Sequence, residues 1–185
     1  MTPADVRLDW YAEALDEIGA FLLSGEIVWP MEHPPARLRQ DLSLGGLLLI
    51  QDSLRAELDL SAAAQRRLEE IERRWKALRR SQASTLSRKA EKELDMRVNL
   101  WRAYLNDLAD RGGFSEEYPF QVRQRVMMER LGELGAPLRS RDLSGLDERL
   151  RKAFRPGPFV WEAALESAYP KTRYWFLYGA PEAEA

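Results

Sequence analysis

Apolar positions recur along this chain with the period of a helix, and the first run is the clearest. Leu8, Tyr11, Leu15, Ile18 and Leu22 are separated by 3, 4, 3 and 4 residues, so they share one face. Thr2-Pro3 supplies a cap and a proline at the first helical position, and Ser24-Gly25 ends the run. Residues 26–35 contain Pro30, Pro34 and Pro35 and are read as an ordered loop. A second helix is expected over roughly Pro35 to Leu58, with Gly45-Gly46 in its interior making room for a large neighbour or marking a kink.

The third run is the longest. Leu68, Ile71, Trp75, Leu78, Leu86, Ala90, Leu94, Val98, Trp101, Leu105 and Leu108 keep phase at about 3.6 residues per turn. A continuous helix has to preserve that phase and a hairpin does not. One long, kinked helix ending at Gly112-Gly113 is therefore favoured, and a hairpin turning at 81–87 (SQASTLS) is the alternative.

Beyond the glycine pair, a helix is expected from Ser115 with Val122, Val126, Leu131 and Leu134 inward, stopped by Gly135 and Pro137. Another follows from about Ser140 to Phe154. Arg155-Pro156-Gly157-Pro158 reads as a break, Phe159 to Ala168 as helix, and Thr172 to Tyr178 as a compact aromatic segment. No useful strand alternation appears. The expected fold is all-α: a single-domain bundle of about five to seven helices around a long central one over residues 1–180, with a polar tail at 181–185.

Composition narrows the chemistry. The chain has no cysteine and one histidine, His33, which excludes disulfides, thiolate metal sites and any site needing two histidines. There is no GxGxxG, no P-loop, no GxSxG elbow and no Glu-x-x-His pair. No catalytic residue, cofactor or metal ligand is nominated. Asp9, Glu13 and Asp16 are read as a solvated helix face, and His33 as structural. The longest apolar run, Leu42 to Ile50, is too short to span a bilayer, and no signal segment opens the chain. A cytoplasmic location without membrane contact is expected.

Charge changes the picture more. The formal net charge is -2, yet residues 1–60 carry -7, residues 61–113 carry +5 and residues 114–185 carry 0. Arginine outnumbers lysine 23 to 5, so the basic middle is arginine-rich. The doublets Arg66-Arg67, Arg73-Arg74 and Arg79-Arg80 recur about two helical turns apart, a spacing that could follow a phosphate backbone. Glu69, Glu70 and Glu72 stand four residues before Arg73, Arg74 and Lys76, so local pairs explain half of this ladder. Attraction between the acidic first segment and the basic middle explains the division as well as an external anion does, and is the preferred reading.

The residues left as candidates for a polyanion are Arg79, Arg80, Arg88, Lys89 and Arg173. Tyr174, Trp175 and Trp29 are candidates for stacking or partner contact, although the segment from Tyr169 to Tyr178 reads more simply as a strap filling a groove. Elimination leads to a non-enzymatic interaction or scaffold protein that meets a protein partner or a second copy through its long helix, with Trp75, Leu78 and Trp101 as anchors. The alternatives are a nucleic-acid-binding accessory protein and a helical sensor of a small apolar ligand.

Overall fold

The computed structural model describes residues 2–111, 115–138 and 143–182. Among them are seven helices, α1 (Pro3–Leu23), α2 (Leu44–Arg55), α3 (Ala62–Ser81), α4 (Ala83–Arg111), α5 (Tyr118–Gln121), α6 (Arg123–Gly132) and α7 (Leu143–Ala153). Two short strands, β1 (Phe154–Phe159) and β2 (Tyr178–Pro181), pair antiparallel. The fold is predominantly α-helical, as the periodicity predicts.

α1 begins with a reciprocal cap, in which Thr2 Oγ1 accepts from Asp5 N–H at 3.1 Å and Asp5 accepts from Thr2 N–H at 2.7 Å. Leu8, Tyr11, Leu15, Ile18 and Leu22 are all buried, as their spacing requires. α2 starts at Leu44, later than the expected Pro35. Residues 35–43 are held out of a helix: Leu42 exchanges backbone hydrogen bonds with Trp29, Gln40 O accepts the Trp10 indole N–H at 2.7 Å, and extended Ser43 caps α2. Gly45-Gly46 consequently lies in the first turn rather than mid-helix. A Cβ at Gly45 would fall 2.8 Å from Glu93 Oε1 and 3.0 Å from Met127 Cβ, so the glycine does admit large neighbours.

The third run forms two helices broken at Gln82, whose φ of -119° and ψ of 25° leave helical geometry. Arg67 pairs with Asp9 and Arg74 with Asp16, an equal advance on both helices, so α3 runs parallel to α1. Lys89, near the start of α4, reaches Ser24 at the end of α1. The run is therefore two helices that meet at Gln82, within the 81–87 stretch, rather than one uninterrupted helix. Its expected end at Gly112-Gly113 lies outside the described residues, as do Ser140 and residues 183–185 of the expected tail. Pro181 belongs to β2.

α2 is antiparallel to α1, with Arg7 meeting Glu57 and Gln51 meeting Tyr11. α6 is antiparallel to α4, with Arg97 meeting Gln124 and Ser87 meeting Gly135. One apolar cluster runs from Leu8 of α1 to Leu177, centred on Trp10, Trp75, Trp101, Tyr118 and Phe176. Of the expected anchors, Trp101 is fully buried and stacks on Tyr104 at 5.4 Å, and Trp75 is buried as well.

The sheet corrects the reading of residues 154–168. Phe154 and the expected break at Arg155-Pro156-Gly157-Pro158 form β1, and Phe159–Ala168 is strand end followed by a 3-10 helix over Ala163–Ala168. With two prolines and mostly exposed residues, β1 lacks the alternation that marks a strand in sequence. Gly179 makes the pairing feasible: its φ is +138°, and any side chain there would strike Arg155 O.

Candidate functional site

The basic middle of the chain faces the acidic first helix. Arg67 meets Asp9 at 2.6 Å, Arg74 meets Asp16, and Arg55 meets Glu72 at 2.6 Å. Two arginines of the middle segment are thus neutralised by α1, while Glu72 of the same segment is taken up by Arg55 of α2.

The residues nominated from sequence are scattered. Lys89 is buried: its Nζ donates to Ser24 O at 3.0 Å and Ser24 Oγ at 3.2 Å and lies 4.2 Å from the Phe21 ring centroid. Burial, followed by the neighbouring Lys92, pulls its ammonium below the ordinary lysine range. Arg173 pairs with Glu129 at 3.2 Å and Glu133 at 2.9 Å. Arg79 donates to Glu133 O at 3.0 Å, so Arg79 and Arg173 meet at the C-terminal end of α6. Arg80 and Arg88 are exposed.

Tyr174 is buried edge-on to Tyr169 and Phe176. Trp175 is half-buried against Phe154, with the Arg151 guanidinium 3.6 Å from its ring. Trp29 donates its indole N–H to Glu17 at 2.7 Å. Arg79 and Arg80 also border a cleft of about 920 Å³ between α2 and α3, floored by Leu54, Leu68 and Trp75. Glu57, Glu69 and Glu72 interleave its cations, and the arginines there are solvated.

The cation that sequence reading missed is Arg123, the first residue of α6. It is half-buried, and among the described residues it has neither an ion pair nor a hydrogen bond; its closest aromatic contact is the Phe120 ring, 5.8 Å away. Burial, and after it the nearby Arg97 guanidinium, pull Arg123 below the ordinary arginine value. A desolvated charge without a counter-charge is costly, so this position favours an anion.

Three clefts meet at Arg123. One, about 480 Å³, is lined by Arg39, Asp41, Arg97, Gln124 and Met127. A second, also about 480 Å³, adds Thr2, Arg7 and Arg37. The third, about 520 Å³, is lined by Leu49, Ile50, Phe120, Val160, Trp161 and Leu165 together with Arg7, Ser53, Glu162 and Tyr169. Arg97 is already committed to Glu93 at 2.8 Å, Ser43 at 3.0 Å and Gln124 at 3.0 Å. Arg7 pairs with Glu57 at 2.6 Å, but its Nε is buried with no acceptor. Arg37 and Arg39 are exposed and carry no partner among the described residues. Cations therefore outnumber acids around this junction, and Phe120, 62% exposed, stands at its edge.

Glu13, Glu17 and His33 bring one ligand atom each within 4.8 Å of one another. Glu17 already accepts from the Trp29 indole and from Glu32 N–H, and His33 is well exposed, so the trio reads as the anchor of the 26–42 loop. No helix among the described residues is long and apolar enough to cross a membrane. Compared with known protein families, with curated proteins and with solved structures, the chain matches none.

Proposed function

We propose that this chain is a non-enzymatic interaction protein whose binding surface is the junction around Arg123, and that its partner is a protein presenting an acidic segment. The observation that carries this reading is the half-buried Arg123 guanidinium, which no acid among the described residues pairs. A partner carboxylate supplies the missing charge, Arg37 and Arg39 draw it in from the rim, and exposed Phe120 at the edge offers an apolar contact beside it.

A protein segment suits this surface better than a nucleic acid. The net charge is -2, and two arginines of the basic ladder, Arg67 and Arg74, are paired with α1, whereas polyanion tracking needs a continuous basic stripe. The test is fluorescence anisotropy at low salt with a labelled peptide of alternating glutamate and leucine, and with single-stranded DNA of equal charge. The peptide should bind, weaken with added salt, and lose at least tenfold in affinity in the R37E/R39E/R123E variant. DNA binding tighter than the peptide, or peptide binding that the triple variant leaves unchanged, overturns the reading.

A further inference from the structure

The third cleft, on the other side of Arg123, has a different chemistry from the rim. Its walls are Leu49, Ile50, Phe120, Val160, Trp161 and Leu165, and its volume, about 520 Å³, falls in the range of small-ligand sites. Trp161 is fixed there by its indole N–H, which donates to Pro119 O at 2.7 Å, and by edge contacts with Phe159 and Tyr169. The polar groups at this cleft are unbalanced among the described residues: Arg123 has neither an ion pair nor a hydrogen bond, Arg7 Nε has no acceptor, and the one acid lining it, Glu162, is exposed.

We infer that this cleft binds a small carboxylate with an apolar body, such as a medium-chain fatty acid or an aryl-alkanoate. The carboxylate pairs with the Arg123 guanidinium, and the hydrocarbon lies against Trp161, Leu165 and Ile50. The pairing is planar and bidentate in kind, which distinguishes a carboxylate from an alcohol of equal length. An apolar body without the charge leaves Arg123 uncompensated, and the charge without the body leaves the cleft wet. Because Arg123 borders both surfaces, an occupied cleft neutralises the central contact of the acidic partner. The ligand therefore acts as a competitor of that partner. The inference shares Arg123 with the proposed function, but it depends on Leu165 and Trp161 rather than on Arg37 and Arg39.

Isothermal titration of the full chain with octanoate, 1-octanol and acetate tests it. Octanoate should bind at least tenfold more tightly than either control and should shift the Trp161 indole N–H resonance. Arg123→Gln and Leu165→Trp, the latter filling the cleft, should each weaken octanoate at least tenfold. If Arg123→Gln does not fold, Leu165→Trp and the 1-octanol comparison decide. Octanoate binding no tighter than both controls, or binding indifferent to Leu165→Trp, overturns the inference. Peptide binding without octanoate binding overturns the ligand alone, and octanoate binding without peptide binding overturns the partner alone.

Discussion

Glu93 of α4 accepts the backbone N–H of Gly45 at 3.0 Å, with its other oxygen accepting Leu44 N–H at 2.8 Å. A side chain from a distant helix thus serves as the anion at the N-terminus of α2, where unpaired N–H groups and the helix dipole favour negative charge. The carboxylate is fully buried and balanced by Arg97, so one charge pair joins α2 to α4 and turns Arg97 toward Gln124 of α6.

Glu93→Gln should therefore be severe for a change of one atom. It leaves Arg97 buried without its counter-charge and removes one of two acceptors at α2, an expected loss of about 3–5 kcal/mol. Urea denaturation followed by far-ultraviolet circular dichroism measures this. A loss below about 1 kcal/mol would place the pair with ordinary surface ion pairs and refute the assigned role.

Neighbouring residues 88 and 89 should behave oppositely. Lys89 caps the end of α1 through Ser24 O, whereas Arg88 is exposed with no partner among the described residues. Lys89→Met should cost about 1–2 kcal/mol, a fall in melting temperature of roughly 2–8 °C for a chain of this size. Arg88→Met should leave the melting temperature within about 1 °C, since surface changes away from such contacts are small. Equal shifts for the two variants would contradict the burial of Lys89.

Stability should also respond to pH through Asp52. Asp52 is buried between Arg130, at 3.0 Å, and the Tyr169 hydroxyl, at 2.8 Å, and burial pushes its carboxyl above the ordinary range against the pull of both partners. A carboxyl with a raised folded-state pKa binds its proton more tightly when folded, so its contribution to stability falls as pH rises from the ordinary aspartate value through the raised one. Asp52→Asn keeps an acceptor for Tyr169 and removes this titration. The stability difference between wild type and variant should move in favour of the variant between pH 4 and 7, as read by chemical denaturation at each pH. A difference that moves toward wild type over that range would reverse the sign and exclude a raised pKa.

Sequence periodicity was a good guide wherever a helix buries one stripe against the core. The faces of α1 and of the α3–α4 run were legible because 3.6-residue phase survives from Leu68 to Leu108. The break at Gln82 was not sharply marked, since neither glycine nor proline stands there. The start of α2 was misplaced because tertiary hydrogen bonds to Trp29 and Trp10 hold residues 40 and 42 extended, and nothing local signals them. β1 was hidden by its own prolines.

For the candidate site, the doublets drew notice to cations that the fold then paired, such as Arg67 and Arg74. Arg123 has Gln121, Val122 and Gln124 beside it and carries no local signature. What sets it apart is that no acid among the described residues pairs it in three dimensions, which depends on chain segments as distant as Arg7 and Trp161.

The two ion pairs between α1 and α3 each join residues 58 positions apart. Closing a loop of that length costs about 2 kcal/mol more entropy than closing a helical turn, while an exposed pair returns roughly 0–1 kcal/mol. The pairs therefore cannot start the association of these helices. Burial of the apolar faces of α1, α2 and α3 has to supply the rest, and the equal spacing of the pairs holds α3 at one height along α1. The most conspicuous charges of the chain thus act as a check on alignment rather than as a driving force.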